Sequence, residues 1–139
     1  MFVDTSRWLG LEGIRVLHKE EGTTMSLSEN LKNQILQNLK TIDPDQVILF
    51  GSHAWGEPTG DSDIDLYVVT KDDFIPLSWQ EKNLIYLKVA KALENIMRSH
   101  PTDLIVHTRR MHRRFIELNS SFSREIRLKG LKLYESSQP

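Results

Sequence analysis

Cysteine is absent from the 139 residues, which excludes disulfide bonds, thiolate nucleophiles and zinc–sulfur sites. An excess of either charge is also missing. The formal net charge is −1, so we expect no bulk electrostatic attraction to nucleic acid. Long apolar stretches are missing too, since a run such as Val47–Phe50 is far too short to cross a bilayer. The first residues show no basic segment followed by an apolar one, so we expect a cytoplasmic protein without a membrane anchor.

The length and composition are those of a single globular domain. Hydrophobic residues make up 39% and charged residues 27% of the chain, which is ordinary for such a domain. Residues 1–25 differ from the rest, because their apolar residues keep no clean helical or strand period and are interrupted by glycines. We interpret residues 1–25 as an amino-terminal extension and residues 26–139 as the domain proper.

Capping residues and periodicity predict the elements of this domain. Ser26 and Glu29 fit a capping box that opens a helix to about residue 40. Further predicted elements are a buried strand Gln46–Phe50, a strand Asp63–Val69, a helix from Ser78, a strand Asp103–His107, a basic helix, a helix Ser121–Lys129 and a strand Leu131–Tyr134. This order predicts a mixed α+β fold, with helices on one face of a small sheet and an open catalytic face.

The helix that follows Ser78 has an apolar face and an aromatic residue at its start. The residues on the predicted face are Leu84, Leu87, Ala90 and Leu93. We expect Trp79, in the first turn, to pack in the core.

An Asp-x-Asp pair, Asp63 and Asp65, alternates with apolar residues in the second predicted strand. Residues two apart on a strand point to the same face, about 6.5–7 Å from each other. Carboxylate oxygens are the ligands that Mg²⁺ prefers. Two such ions stabilise the attacking and leaving oxygens of a phosphoryl or nucleotidyl transfer. On its own such a pair is typical of a solvated strand face, but the combination of Gly51-Ser52, ten intervening residues and Asp63-x-Asp65 indicates a metal-dependent transfer reaction.

Gly51 and Ser52 follow the first predicted strand directly. A glycine there allows a tight turn and a close approach of the backbone to a phosphate. Ser52 adds a hydroxyl group, and a short helix begun by Ser52 would offer free N–H groups to an anion. A third carboxylate, Asp103, opens another strand, where it could complete a metal site and act as a general base.

Two segments, Leu49–Gly56 and Asp61–Leu66, together resemble the signature of the minimal nucleotidyltransferases of the DNA polymerase β superfamily. Asp103–Val106 resembles the strand that bears the third carboxylate of that family, and the likeness extends over residues 26–135. The resemblance implies that Gly51 and Ser52 hold the triphosphate of ATP. It also implies two magnesium ions on Asp63 and Asp65, with Asp103 as third ligand and base.

One departure from the family pattern follows the Gly-Ser pair. His53 and Trp55 stand where family members often carry arginine, so contacts to the phosphates or to the acceptor are expected to differ.

The resemblance also implies an acceptor. The length leaves no room for an acceptor-binding domain beside the core, so we expect a protein acceptor or a second chain. Minimal members of the family include antitoxins paired with a HEPN-type ribonuclease toxin, which transfer AMP to a toxin tyrosine. Our first hypothesis is such an antitoxin. The alternatives are transfer to a small molecule, as in aminoglycoside modification, and a non-catalytic module that neutralises its partner by occlusion.

A cluster of basic residues lies between Arg109 and Arg114. It favours either a surface for an acidic partner, a nucleic acid or a triphosphate tail, or an ordinary solvated helix face. Tyr67 shares the Asp65 face and is interpreted either as a contact to substrate or as sheet packing. His107 shares the alternation of Asp103 and is interpreted as structural.

Overall fold

Helices and strands alternate along the part of the chain that the structure describes. The computed structural model describes residues 27–55 and 63–137. The predicted extension over residues 1–25, the predicted cap Ser26 and the motif residues Gly56, Asp61 and Ser62 lie outside these ranges. The elements are α1 Glu29–Leu39, a 3-10 turn Lys40–Ile42, β1 Gln46–Phe50, α2 Ser52–Trp55, β2 Ile64–Val69, α3 Trp79–Ala92, α4 Glu94–Ser99, β3 Thr102–His107, α5 Arg109–Leu118, α6 Ser121–Lys129 and β4 Leu131–Glu135.

The first described helix begins slightly later than predicted. Ser28 is its cap, and the Ser28 hydroxyl accepts a hydrogen bond from the Leu31 amide at 3.1 Å. A serine satisfies the free amides of a first turn best when it directly precedes the helix. Within the described ranges, no helix is long and apolar enough to cross a membrane.

The four strands form one mixed sheet in the order β3-β2-β1-β4. β1 pairs antiparallel with both β2 and β4, whereas β2 and β3 are parallel. The register places Asp65 opposite Phe50 on one side and opposite Asp103 on the other. The predicted mixed α+β fold is confirmed, and the register brings two of the predicted site residues side by side.

The main core lies between one face of the sheet and the helices α1, α3 and α4. Its buried members include Ile35, Leu36, Leu39, Val47, Leu49, Leu66, Val68, Val89, Leu93 and Ile96. They belong to alternate positions on the strands and to i, i+4 rows on the helices, as burial of one face of each element requires.

A second, smaller core occupies part of the opposite face, which the sequence predicted to be open. There α5 and α6 cover the strand residues Ile48, Tyr67 and Val69, and Ile126 of α6 packs against them. The expectation of helices on one face only is corrected: this face is apolar over most of β1 and β2, and apolar surface is covered wherever an element can reach it. The end of the face that carries Asp65 and Asp103 is polar, and Asp103 is exposed there.

The predicted apolar face of the helix after Ser78 is corrected in part. Leu93, directly after α3, is buried as predicted, but Leu84 and Leu87 are 67% and 48% exposed, and the buried residues of α3 itself are Ile85 and Val89. Trp79 is 72% exposed and does not pack in the core. Because α3 carries two apolar stripes, periodicity alone does not decide which one faces the sheet, and the β-branched stripe does so here.

The start of α5 is fixed by three contacts. The Thr108 hydroxyl accepts from the Met111 amide at 3.1 Å and donates to the Phe74 carbonyl at 2.6 Å. The Arg109 guanidinium donates to the Asp45 carboxylate at 3.0 Å. These contacts tie α5 to the loop after β2 and to the residue before β1, and so hold it over the second core.

Candidate active site

The turn after β1 requires glycine at position 51. Gly51 has φ +74°, a conformation that strains any residue with a Cβ atom. A Cβ atom at this position would also collide with the Asp65 carboxylate, lying 2.9 Å from its Cγ. The Gly51 carbonyl accepts a hydrogen bond from the Ala54 amide at 2.9 Å, which closes the turn into α2. The Asp65 carboxylate therefore lies directly against the turn.

Two of the three predicted carboxylates are in contact. Asp65 and Asp103 are register partners on the parallel strands β2 and β3, and the Asp103 carboxyl group is close enough to raise the pKa of Asp65. Asp63 directly precedes β2 and is exposed, and its charge acts on Asp65.

The environment raises the pKa of Asp65 above its ordinary value of 3.8. Burial is the largest cause, followed by the negative charges of Asp103 and then Asp63, while His53 opposes the shift. The hydrogen bond to Asp103 adds to the increase. The structure thus concentrates like charge around Asp65, an arrangement that favours a bound proton or a bound cation.

These carboxylates fit a magnesium ion by their chemistry. All three offer oxygen ligands of the kind that Mg²⁺ takes, and a cation would relieve the repulsion that raises the pKa of Asp65. Over residues 27–55 and 63–137, no three acidic or histidine side chains converge closely enough to form a finished metal site. What the structure does show is that Asp65 and Asp103 lie side by side next to Gly51. Asp63 is close enough for its negative charge to raise the pKa of Asp65.

Ser52 directly follows Gly51, begins α2 and is partly exposed. Its hydroxyl belongs to the same small region as the Gly51 turn. Triphosphate binding by Ser52 stays a prediction.

The basic residues of α5 are divided between ion pairs and solvent. Arg109 pairs with Asp45 at 3.0 Å, and Arg110 lies 3.7 Å from Asp73. Arg113 and Arg114 are exposed. Asp73 follows the carboxyl end of β2, whereas Asp63 precedes its amino end, so the cluster begins at the end of the sheet away from the carboxylates.

Tyr67 and His107 support the site rather than line it. Tyr67 is fully buried, and its hydroxyl lies 2.9 Å from His107 Nδ1 and 2.7 Å from His112 Nδ1. Burial raises the pKa of Tyr67, and burial, reinforced by His112, lowers the pKa of His107 to about 4. Of the two interpretations of Tyr67, packing is the one that the structure supports, and His107 is structural as expected.

Two aromatic residues, Phe50 beside Asp65 and Phe122 packed on Phe50, were not singled out by the sequence. Phe50 is the cross-strand partner of Asp65, and Phe122 of α6 packs against Phe50 with ring centroids 5.7 Å apart. The alternation of β1 could have placed Phe50 on the Asp65 face, since it is two residues from Ile48. Phe122 gave no such signal, because its position depends on how α6 docks.

The family model described as polymerase beta, nucleotidyltransferase matches residues 29–138. No curated protein matches the sequence.

Several solved structures are distantly similar. A crystal structure of a toxin–antitoxin with AMP-PNP is 24% identical, with 77% of this chain and 75% of that chain covered and a TM-score of 0.47. A toxin–antitoxin MntA-HpeT variant is 22% identical over the same shares, with a TM-score of 0.43. A further MntA-HpeT variant is 19% identical over 81% of this chain and 76% of that chain, with a TM-score of 0.46. These likenesses are too distant to support a statement about function.

Replacement of Gly51 tests the contact between the turn and Asp65. We expect Gly51→Ala to lower the free energy of unfolding by more than about 2 kcal/mol, because the left-handed backbone and the collision with Asp65 both oppose it. In an Asp65→Ala background the collision is gone, and only the backbone cost of about 1 kcal/mol is expected to remain. Urea denaturation of the four proteins measures the coupling. An equal cost in both backgrounds would contradict the contact.

The raised pKa of Asp65 predicts a pH-dependent stability. The folded state holds the Asp65 proton more tightly than an unfolded carboxyl near 3.8, so this group's contribution to stability is lost as pH rises through the raised pKa. We therefore expect Asp65→Asn to melt a few degrees higher than the parent at pH 7 with a chelator present, and the difference to vanish near pH 4. Thermal melts across this range measure it. An increase at pH 7 that persists unchanged at pH 4 would contradict the raised pKa of Asp65.

Proposed function

The chain belongs to the polymerase β nucleotidyltransferase family, and from this premise we propose that it transfers AMP from ATP to a hydroxyl group of a partner protein. The observation that carries the proposal is the meeting of three features at one end of the sheet. A glycine turn with φ +74° lies against Asp65, and Asp103 is the register partner of Asp65 on the neighbouring strand β3. A backbone turn suited to phosphate and a pair of metal-binding carboxylates are what nucleotidyl transfer needs.

Each residue has a role in the proposed reaction. The Gly51 turn and the Ser52 hydroxyl orient the triphosphate. Asp63, Asp65 and Asp103 hold magnesium, which when bound stabilises the negative charge that builds on the phosphate oxygens. The acceptor hydroxyl attacks the α-phosphorus, the bond from that phosphorus to the bridging oxygen breaks, and pyrophosphate leaves. The Asp103 carboxylate accepts the proton of the acceptor hydroxyl.

The position of Asp103 supports a large acceptor. β3 is an edge strand of the sheet, and Asp103 is exposed at its start. A hydroxyl carried on the surface of another protein can therefore approach Asp103 from the side of the sheet. By the resemblance of residues 49–66 to minimal nucleotidyltransferases, the acceptor that we propose is a tyrosine of a HEPN-type toxin, and the protein acts as its antitoxin.

Transfer of label from ATP tests this proposal. The protein is incubated with α-³²P-ATP, magnesium and a lysate of the source cells, and proteins are separated by electrophoresis. We expect one protein to become labelled, and Asp65→Asn and Asp103→Asn each to lower the rate by at least about a hundredfold, because each removes a ligand or a base. Asp73→Asn, the matched control in the loop after β2, should label the acceptor at the parental rate.

The same experiment separates the competing functions. Label that appears only on small molecules in the parental sample would contradict a protein acceptor and favour a small-molecule nucleotidyltransferase. A toxin that is neutralised equally well by the parent and by Asp65→Asn, with no label in either case, would contradict catalysis and leave occlusion.

A further inference from the structure

An aromatic surface borders the carboxylates on the same face of the sheet. Phe50 is the direct partner of Asp65 in the antiparallel pair of β1 and β2. Side chains of such partners stand on the same face, with Cβ atoms about 4.5–5.5 Å apart. Phe50 is also the residue before Gly51, so its ring lies next to both the turn and the carboxylate.

Phe122 extends this surface outward from the strand. Its ring meets that of Phe50 edge to face, at 5.7 Å and 76°. Phe122 is 36% exposed, and Phe50 is partly buried against the second core. The Phe50–Phe122 pair is therefore an apolar rim on an otherwise polar end of the sheet.

The rim is held from behind by further rings. Phe115 of α5 contacts Phe122 at 5.8 Å and stacks on Tyr67 at 5.4 Å. Tyr67 is fully buried and hydrogen-bonded through its hydroxyl to His107 and His112. An aromatic side chain fixed in this way loses little conformational entropy when a ligand packs on it.

We propose that the Phe50–Phe122 pair is the surface on which the nucleobase of the substrate stacks. This proposal rests on the proposed function, and it identifies the part of the same site that binds the nucleobase. A nucleoside triphosphate has an anionic end and an aromatic end joined by one sugar. The Gly51 turn and the carboxylates suit the first end, and the adjacent ring pair suits the second.

Stacking on phenylalanine also has a consequence for specificity. Every base presents a π-face, so a surface of this kind binds purines and pyrimidines alike unless hydrogen-bonding groups are added. Phe50 and Phe122 carry no polar atoms in their side chains. This surface accordingly supplies affinity for nucleotides and little choice among bases.

Two probes distinguish the base from the phosphates. Dissociation constants for ATP and for inorganic tripolyphosphate, both with magnesium, are measured by calorimetry on the full chain. We expect Phe122→Ala and Phe122→Leu to weaken ATP binding about tenfold, because both remove the π-face, and to leave tripolyphosphate binding unchanged. Phe122→Tyr keeps the ring and should bind ATP as the parent does, and thermal melts establish that each variant is folded.

The control is Phe74→Ala. Phe74 is similarly exposed, at 40%. It lies at the opposite end of the sheet from Asp65, where its carbonyl accepts a hydrogen bond from the Thr108 hydroxyl. Its removal should change neither constant.

Several outcomes would overturn the stacking surface. Unchanged ATP affinity in both Phe122→Ala and Phe122→Leu would do so, including when the KM for the protein acceptor rises instead, since the rings would then hold the acceptor. Equal weakening of ATP and tripolyphosphate would also overturn it, because the ring would be supporting the phosphate end. A parental protein that binds neither probe would contradict the proposed function itself, which distinguishes that failure from failure of the stacking surface alone.

Discussion

The position of the Asp65 carboxylate against the Gly51 turn is the constraint on which the rest of the site depends. Antiparallel pairing of β1 and β2 sets Phe50 opposite Asp65, so the chain must leave β1 directly beside that carboxylate. Only a residue without a Cβ atom fits there, and the left-handed backbone of Gly51 then directs the chain into α2. The turn and the carboxylate are consequently fixed relative to each other by the strand register.

The parallel register of β2 and β3 extends the same constraint to the third carboxylate. It sets Asp103 beside Asp65, where burial and the neighbouring acidic groups raise the pKa of Asp65. Like charges held together by the backbone destabilise the protein unless a proton or a cation is shared between them. The fold thus maintains an electrostatic conflict at this end of the sheet, which a divalent cation would relieve.

The remainder of the same face is apolar and is closed. α5 and α6 cover Tyr67 and Val69, and the hydrogen bonds of Tyr67 to two histidines tie α5 to β2 and β3. One part of this sheet face therefore carries the site carboxylates, and the other part is buried in the second core. The division falls between Asp65 and Tyr67, two residues apart, and Phe50 and Phe122 lie on the boundary.

Features set by local sequence were predictable, and features set by docking were not. The strand Gln46–Phe50 matches its prediction because a short apolar run carries its own signal. The alternation of Asp65 with buried Leu66 follows from the period of two. The buried stripe of α3, the exposure of Trp79 and the place of Phe122 each depend on how a helix meets the sheet, which involves residues distant in sequence.

The contact between Asp65 and Asp103 could be predicted from the sequence only in part. The sequence marked both residues through the motif and the family resemblance, but their spacing in the chain says nothing about distance. Their adjacency follows from the parallel pairing of β2 and β3, which connects strands separated by two helices. The role of this pair in binding metal stays a prediction.

Paramagnetic broadening is the most direct test of whether Asp65, Asp103 and the Gly51 turn form one cation-binding site. Mn²⁺ is titrated into ¹⁵N-labelled protein, and amide signals are followed from substoichiometric metal upward. We expect the amides of Gly51, Asp65 and Asp103 to broaden first and together, and Asp65→Asn to remove the effect. Broadening that begins instead at the carboxylates of Asp45 and Glu135, which line a separate groove together with Arg109 and Arg113, with Gly51 and Asp65 still sharp, would contradict a cation site at Asp65.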